Sequence, residues 1–559
     1  MAAYRLTGCL AATGILTLTA CGGIPTSGAV NHYADPRSTA SASRQSSEIE
    51  GPATNATPDE IIRGFISAGV GVNDNYAVAR QFLAPDYAQQ WSPQEQTLVY
   101  TNTPSISATD KGDYTLAVEL TAKIDARGIA TSFDTADGEN LSFQLENIGG
   151  QWRITSAPNS IILDQRQFNI AYNPFTLYFY DPTFSYAVPD VRWFADRDTV
   201  ATSVVRVLLE GPAPYLQGAV QTAIPTGTTL TRSSVPVESS VASVDLSGAG
   251  VQKELTQLES QRIKTQLTQT LSTLSTVSSV ELKVAGQTIQ EDDARADSLP
   301  LINPPVSGGV VGVEENTLIT RSSLSDVASQ NTVLAPQQQT VTSPAMAISR
   351  GVYAYLANNE KELWLVRNGE ARQLLAASDI TVPSFDYLHW VWAVQNGSQV
   401  MVSLSTSDGN QPQEVAADWL EGYTVTSLNI SRDGTRAVIA AHDDTYSYTW
   451  VAGVIRDGEG APQRLQTPVR LGTGISPTFA DFLSDNEVII ADYNTGATEI
   501  ISISGVRRSP EILTGLAKIS VGTGEENVIA QTQDSTLYRL SSSGWVRLEN
   551  TLHDLNFSG

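Results

Sequence analysis

The stretch ISRDGTRAVIAA (430–441) joins a turn at Asp433-Gly434 to a run of mostly apolar residues. An Asp-Gly turn followed by such a run is typical of a β-strand that begins directly after a hairpin turn. Similar turn-and-strand units recur along the second half of the chain, at a spacing close to the roughly 40–50 residues of a propeller blade. The other units are AISRGVYAYLA (347–357), WAVQNGSQVMVSLS (392–405), FLSDNEVIIADY (482–493) and GTGEENVIAQT (522–532).

These units predict an all-β propeller over residues 310–559. Most of them lead into a further strand pair, as the first does into ELWLVRNGEARQLL (362–375). The segment GVVGVEENTLITRS (309–322) supplies a sixth blade or closes the ring, so we expect about five to six blades. A closed ring leaves only short, protected strand edges, which suits an exposed protein without disulfides.

Residues 168–290, which precede the propeller, predict an α+β domain. The helical pattern TVATSVVRVLLEGP (199–212) ends where glycine and proline stop a helix, and a second helix is expected from Val251 to Leu274. The Pro-rich stretch 291–309 predicts a linker to the propeller. Three segments resemble the GerMN domain, which implies a location outside the cytoplasmic membrane and no assigned catalysis. They are LLEGP (208–212), AIPTGT (223–228) and VDLS (244–247).

Residues 58–165 predict a second, smaller α+β domain. Apolar residues between Ile61 and Leu83 follow helical spacing. Alternating, strand-like stretches follow, and Gly149-Gly150 marks a hairpin between two of them. Helices followed by an antiparallel sheet resemble the NTF2-like or cystatin-like shape, a likeness at the level of the fold only.

The amino-terminal 57 residues predict an exported, anchored chain. Residues 1–20 carry Arg5 and then an apolar run too short to span a bilayer, as in a secretory signal peptide. The sequence LTAC (18–21) resembles the lipobox of bacterial lipoproteins. That resemblance implies removal of residues 1–20, a diacylglycerol on the Cys21 thiol and acylation, for example by palmitate, of the new Cys21 amino group. The alternative is an ordinary secretory signal with a chance cysteine.

Acyl chains on Cys21 would hold the protein at the outer face of the cell membrane, because two or more chains bind a bilayer almost permanently. Residues 21–57 are rich in Ser, Thr, Ala, Gly and Pro, and they predict a flexible, lipidated tether. No later stretch is apolar for long enough to span a membrane. The lipid is therefore the anchor that the sequence predicts.

Charge and cysteine content exclude several kinds of function. The net charge is −25, whereas nucleic-acid binding and polybasic lipid binding both need a basic surface. Both cysteines, Cys9 and Cys21, lie in the amino-terminal segment, and Cys9 would leave with the signal peptide. The mature chain would then have no disulfide, no cysteine metal site and no thiol nucleophile.

Candidate catalytic residues are few, and we expect no catalytic, cofactor or metal site. His32 lies in the tether, and His389 beside two tryptophans is interpreted as a packed or rim residue. The segment His442-Asp443-Asp444 is interpreted as a blade turn, since neighbouring strand residues point to opposite faces and chelate poorly. His553 is expected to be exposed. The glycine-rich segment 67–74 follows a helical pattern, which favours a helix end over a phosphate loop.

An aromatic cluster in the second and third units has two interpretations. Such residues fill the space between blades, which we favour, or bind a glycan or partner on a propeller face. The cluster comprises Tyr387, Trp390, Trp392, Tyr446, Tyr448 and Trp450.

Taken in order, the lipobox, tether, α+β domain, GerMN-like domain and propeller resemble the actinobacterial lipoprotein LpqB family over essentially the whole mature chain. The resemblance implies an accessory of the MtrA–MtrB two-component system that contacts the extracytoplasmic domain of the sensor histidine kinase. It also implies effects on envelope homeostasis and division. Two other functions stay open on the residues alone: a cell-wall glycan or peptide binder, and a propeller hydrolase whose catalytic groups come from distant positions.

Overall fold

A computed structural model describes the chain from residue 50 onward. The described ranges are 50–72, 75–109, 113–253, 255–289, 299–304, 309–334, 339–348, 351–407, 409, 411–549 and 552–559. The predicted signal peptide, Cys21 and most of the predicted tether lie outside these ranges. Within them, the structure has no helix with the length and apolar character needed to cross a membrane.

The amino-terminal domain (50–164) packs short helices on one sheet. Thr57 and Glu60 form a reciprocal capping box at the first helix, and the helix buries Ile61, Ile62 and Phe65 against the sheet. The strand order is β5-β4-β3-β1-β6, β2 pairs with β3, and β6 lies parallel to β1. The elements are α1 (Pro58–Ser67), α2 (Ala77–Gln81), α3 (Pro85–Gln90), β1 (Gln96–Tyr100), β2 (Ser105–Ala108), β3 (Asp113–Asp125), β4 (Ala130–Ile148), β5 (Gln151–Ser156) and β6 (Ile161–Asp164).

This domain begins earlier than the predicted boundary at residue 58. Ala56 is buried, and the Asn55 main-chain N–H donates to Gln151 Oε1 at 3.0 Å. The end of the predicted tether therefore forms part of the domain, because the cap at Thr57 fixes the chain that enters α1.

The central domain (165–304) confirms the predicted helix ending at Gly211. It joins a two-stranded ribbon, β7–β8, to a small sheet in which β11 and β12 are parallel. Its elements are α4 (Gln165–Ala171), β7 (Tyr172–Tyr180), β8 (Ala187–Ala195), α5 (Val200–Glu210), β9 (Thr229–Leu230), β10 (Val237–Glu238), β11 (Val241–Ser247), α6 (Ala249–Gln252), α7 (Gln257–Leu271), β12 (Ser279–Val284) and β13 (Gln287–Thr288).

Two expectations for this domain are corrected. The single helix expected from Val251 is two helices, because Lys253 is extended and Thr256 begins α7 with its own capping box. Within the predicted linker, residues 299–304 pack on the central domain. Leu301 N–H donates to Ser185 O at 2.9 Å, and Ala187 N–H donates to Leu301 O at 2.8 Å.

In the described residues the propeller (309–559) has six blades, five of four strands and one of five, which confirms the predicted fold class. In each blade the strand named first below lies innermost, because these strands contact one another around the ring. Blade 1 is β38 (His553–Phe557), β14 (Val310–Glu314), β15 (Thr317–Arg321) and β16 (Asn331–Leu334); blade 2 is β17 (Thr342–Met346), β18 (Val352–Ala357), β19 (Glu362–Arg367) and β20 (Glu370–Ala376); blade 3 is β21 (Ser384–Phe385), β22 (Trp390–Gln395), β23 (Gln399–Leu404) and β24 (Gln413–Glu414); blade 4 is β25 (Thr424–Ile430), β26 (Arg436–His442), β27 (Ser447–Arg456) and β28 (Pro462–Leu465), with β29 (Val469–Leu471) also on β27; blade 5 is β30 (Phe479–Phe482), β31 (Glu487–Asp492), β32 (Ala497–Ser502) and β33 (Arg507–Arg508); blade 6 is β34 (Leu516–Val521), β35 (Val528–Thr532), β36 (Leu537–Ser541) and β37 (Gly544–Leu548).

Ring closure depends on the carboxyl-terminal strand. β38 pairs antiparallel with β14, so blade 1 combines strands from both ends of the propeller sequence. The segment 309–322 thus supplies a blade, and that blade also closes the ring. Middle strands such as β26 and β31 are buried on both faces by the neighbouring blades, which explains their continuous apolar sequences.

Candidate docking interface

The central domain is fastened to blade 3 of the propeller by a polar and aromatic contact. The Tyr387 hydroxyl donates to Asp181 Oδ2 at 2.6 Å, and the Tyr186 N–H donates to Asp181 Oδ1, also at 2.6 Å. The rings of Tyr186 and Tyr387 meet edge to face at 4.9 Å. Burial and the Asp181 carboxylate raise the pKa of Tyr387, so its hydroxyl stays protonated and acts as the donor. We call this contact the Asp181–Tyr387 latch.

A second contact joins the central domain to blades 4 and 5. The single helical turn Pro214–Leu216 lies against β27, where Gly453 leaves room for the Tyr215 carbonyl. The Trp193 indole N–H donates to Ser504 O at 3.1 Å. Gln466 Nε2 donates to Gln217 O at 3.0 Å. Apolar side chains of both domains form one continuous buried cluster here, so the contact is part of the core rather than a loose surface touch.

The amino-terminal domain is held to the central domain by arginine contacts. Arg127 Nη2 donates to Gly211 O at 2.9 Å and to Pro212 O at 3.1 Å, at the end of α5. In return, Arg192 Nη1 donates to Arg127 O at 3.0 Å. Arg197 Nη2 donates to the Tyr76 hydroxyl at 2.9 Å. Three domains with separate sequence patterns are therefore joined, the first two by partly buried hydrogen bonds and the last two also by a buried apolar cluster.

The aromatic cluster mostly packs between blades 3 and 4. Trp390, Trp392 and Trp450 are buried. Tyr448 stacks on Trp450 with ring centres 5.0 Å apart, and two residues absent from the sequence prediction, Trp419 and Tyr423, meet Trp450 edge on. Core packing is thus the role of the three tryptophans. A different part of the cluster reaches solvent, since Tyr446 is 65% exposed.

A buried charge network supports this packing. Arg456 Nη2 forms an ion pair with Asp386 Oδ2 at 2.6 Å, and the Trp392 indole N–H donates to the same oxygen at 3.0 Å. Asp386 also accepts from the Trp390 N–H at 2.9 Å. The Asp386 carboxylate accepts hydrogen bonds from both tryptophans and from the arginine. These bonds compensate for its burial, which explains why a charge is tolerated beside the aromatic core.

The histidines of the propeller belong to three different blades. His442 is exposed and contacts the neighbouring Asp443 carbonyl, and His553 is exposed on β38. Asp443 accepts main-chain bonds from Thr445 and Tyr446, and these bonds lower the pKa of its carboxyl group. This confirms the turn role of that segment. Among the described residues, no group of three His, Cys, Asp or Glu side chains is arranged to hold a metal ion.

His389 and the glycine-rich segment also have local structural positions. His389 is half-buried in the turn after β21, with φ near +69°, two residues from the latch residue Tyr387. Helix α1 ends at Ser67 and one further turn covers Ala68–Val70, which confirms a helix end. Asn73 and Asp74 lie outside the described residues.

Family models match the amino-terminal domain, the central domain and the propeller in that order. The family model described as "Lipoprotein LpqB, N-terminal domain" matches residues 51–169, that described as "Sporulation and spore germination" matches 176–290, and that described as "Lipoprotein LpqB beta-propeller domain" matches 319–555. Lipoprotein LpqB of Rhodococcus opacus (strain B4) is 23% identical over 524 residues, covering 88% of this chain and 85% of the relative. Lipoprotein LpqB of Bifidobacterium longum (strain NCC 2705) is 26% identical over 488 residues, covering 81% and 80%.

Among solved structures, TolB from Acinetobacter baumannii is similar with a TM-score of 0.35 and 16% identity, over 46% of this chain and 68% of TolB. The family resemblance rests instead on the matched models and the relatives. Two LpqB-specific models flank the spore-germination model in the same order as the three domains of the structure. On these grounds the chain belongs to the LpqB family of envelope lipoproteins.

Proposed function

We propose that the protein is anchored through Cys21 at the extracytoplasmic face of the cell membrane and regulates the sensor kinase of an envelope two-component system. The observation that carries this proposal is the joining of all three domains, through the partly buried hydrogen bonds of Tyr387 and Arg127 and through the apolar cluster shared by the central domain and the propeller. A body built in this way presents its surfaces to a partner in one arrangement. Such pre-organisation favours docking, because less conformational freedom is lost on binding.

The anchor makes a membrane partner the natural target. A tether confines the body near the bilayer and raises its effective concentration for a protein in the same membrane, so a modest intrinsic affinity suffices. Regulation then requires that the body bind one kinase state more tightly than the other, since equal binding to both states shifts nothing.

A non-enzymatic role fits the chemistry of the described residues. Asp443, beside His442, is committed to turn hydrogen bonds, and the buried carboxylate Asp386 is committed to Arg456 and Trp392. These polar groups have structural partners, which supports a binding rather than a hydrolytic function.

The test is reconstitution of the sensor kinase in vesicles with the lipidated full chain on the extracytoplasmic side. We expect a change in autophosphorylation and a chemical cross-link between the two proteins in cells. The matched control is Cys21→Ser, which should need a much higher bulk concentration for the same effect. Unchanged autophosphorylation with the lipidated chain, together with no cross-link, would refute the proposal. Intact mass of the membrane-extracted protein tests the lipid on Cys21 separately.

A second candidate, binding of cell-wall glycan, is favoured by one observation. Tyr446 is 65% exposed and lies two residues before Tyr448, which stacks on Trp450, and an exposed aromatic ring can stack on a sugar face. Binding of the full chain to purified cell wall, compared between the wild type and Tyr446→Ala, tests it. Equal binding by both would remove this candidate.

A further inference from the structure

An open groove lies at the seam where blade 6 meets blade 1. It consists of two adjoining cavities of about 580 Å³ and 310 Å³, which share Leu324, Ser325, Leu548 and Glu549 in their walls. We call it the seam groove. Volumes in this range are typical of ligand sites rather than of packing defects.

The seam groove follows the full height of β35. One cavity is lined by Ser535 and Thr536, which follow β35, and the other by Glu526 and Asn527, which precede it. The five-residue strand between them spans about 16 Å at 3.3 Å per residue. The groove is therefore long enough for about five residues of extended chain.

One part of the wall is apolar and open to solvent. Val327 lines the larger cavity and is 61% exposed, and Leu324 and Leu548 line both cavities. Exposed apolar side chains inside a concave surface favour a ligand that has apolar groups of its own. A small inorganic anion offers none.

Three arginines give the groove its charge. Arg539 and Arg547 are exposed, and in the part of the chain that the structure describes their guanidinium groups have neither a carboxylate nor another hydrogen-bond partner. Arg321 donates from Nε and Nη2 to Gln330 Oε1, which holds its guanidinium in the wall. The carboxylates of Glu526 and Glu549 also line the groove and carry the opposite charge. The lining residues thus include three arginines and two glutamates, on a chain whose net charge is −25.

We propose that the seam groove binds an extended, acidic peptide segment of a partner protein, with its carboxylates at Arg539 and Arg547 and its apolar side chains at Leu324 and Val327. Charge complementarity selects the acidic residues, and the apolar wall selects the residues between them. The hydroxyl groups of Ser325, Ser535 and Thr536 offer hydrogen bonds to the peptide backbone. A glycan is disfavoured because the described wall residues include no tryptophan or tyrosine. This inference does not require the partner to be a sensor kinase.

The test measures binding of a short fluorescein-labelled peptide, in which Asp or Glu alternates with Leu, to the full chain by fluorescence polarisation. We expect binding that weakens with salt, and none by the counterpart with Asn and Gln in place of the acids. Arg539→Gln with Arg547→Gln should weaken binding about tenfold. Val327→Ser should weaken it without changing the salt dependence.

The matched control is Arg232→Gln, because Arg232 is an exposed arginine of the central domain, remote from the groove in the sequence. It should leave binding unchanged. Thermal unfolding of every variant should match the wild type, since the guanidinium groups of Arg539 and Arg547 have no hydrogen-bond partner among the described residues and Val327 is 61% exposed. No binding at low salt, or equal binding by the double variant, would overturn the proposal. Equal competition by inorganic phosphate, or by phosphatidylglycerol vesicles, would overturn the assignment to a peptide.

Discussion

Asp190 and Arg192, two residues apart on β8, form a two-pronged ion pair that solvent does not reach. Arg192 Nε donates to Asp190 Oδ1 and Nη2 donates to Oδ2, each at 2.7 Å. Asp190 Oδ2 also accepts the Ala213 N–H at 2.8 Å, and Arg192 reaches the amino-terminal domain at Arg127 O. The pair therefore connects two domains and also fixes the chain leaving α5. Although burial alone would lower the pKa of Arg192, the hydrogen bonds and charge of Asp190 raise it.

We expect Arg192→Met to lower the free energy of unfolding by about 3–5 kcal/mol, because it leaves the Asp190 carboxylate buried without its cation. Adding Asp190→Asn should recover part of that loss, since an amide oxygen still accepts the Ala213 N–H. Urea unfolding followed by circular dichroism measures both. The control is Arg508→Met: Arg508 pairs with Glu487 and Glu525 at the surface, so its loss should cost less than about 1 kcal/mol. Equal costs at both sites would contradict the role given to burial.

Gly453→Ala should loosen the central domain from blade 4. A Cβ at residue 453 would stand 2.3 Å from Tyr215 O and 2.9 Å from Ala219 Cβ, and the main-chain oxygen cannot move alone. We expect a loss of about 1–3 kcal/mol in the free energy of unfolding. Hydrogen exchange should increase at Pro214–Leu216, as measured by mass spectrometry. Gly138→Ala is the control, because nothing lies within 4 Å of a Cβ there. Unchanged exchange at Pro214–Leu216 would mean that the interface tolerates the added methyl group.

Removing the hydrogen bond of the Asp181–Tyr387 latch should cost less stability than Arg192→Met. Tyr387→Phe removes one donor from Asp181, which keeps its bonds from Tyr186 N–H and Thr183 N–H. The expected loss is about 1.5–3 kcal/mol in the free energy of unfolding, typical of one hydrogen bond to a charged group. Tyr446→Phe should have no effect, because that ring is 65% exposed. A loss as large as that expected for Arg192→Met would show that the latch does more than supply one bond.

Local sequence signals predicted the blades well because a blade is built from neighbouring strands. The Asp433-Gly434 turn lies between β25 and β26 as predicted, and Gly434 adopts a positive φ of 70°. The signal did not indicate that Asp433 is buried and paired with Arg436, which in turn donates to Asp485 O of blade 5. Those partners depend on how blades pack, and no local pattern encodes them.

Contacts between residues that are far apart in the sequence could not be predicted, for the same reason. Asp181 and Tyr387 are 206 positions apart. The closing strand β38, HDLNF, lacks the turn-and-strand pattern of the repeats because its partner β14 comes from the other end of the propeller. The seam groove is likewise formed by both ends of the ring. The start of helix α7 was predicted wrongly for a local reason. The apolar spacing continued through Lys253 and indicated one helix, but the cap at Thr256 starts a new one.

From the pKa of Asp481 we expect the free energy of unfolding to depend on pH. Partial burial on β30, the innermost strand of blade 5, raises the pKa of Asp481 to about 7, although the Phe482 N–H, 2.7 Å from Oδ1, and the Arg432 charge act to lower it. The folded pKa lies above the unfolded value of about 4, so the folded state binds more protons between these values. The free energy of unfolding should therefore fall as pH rises from about 4 to 7 and level off above that.

Asp481→Asn should remove this penalty. The variant should match the wild type in stability near pH 4 and exceed it above pH 7, by on the order of 1–3 kcal/mol, since the side chain keeps some access to solvent. Urea unfolding across this pH range measures the difference. The control is Asp534→Asn, because bonds from Thr532 and Thr536 lower the pKa of Asp534. That substitution should destabilise the chain at neutral pH, and its effect should fade as the pH falls through the lowered pKa. A difference between wild type and Asp481→Asn that stays constant with pH would contradict a raised pKa of the Asp481 carboxyl group in the folded state.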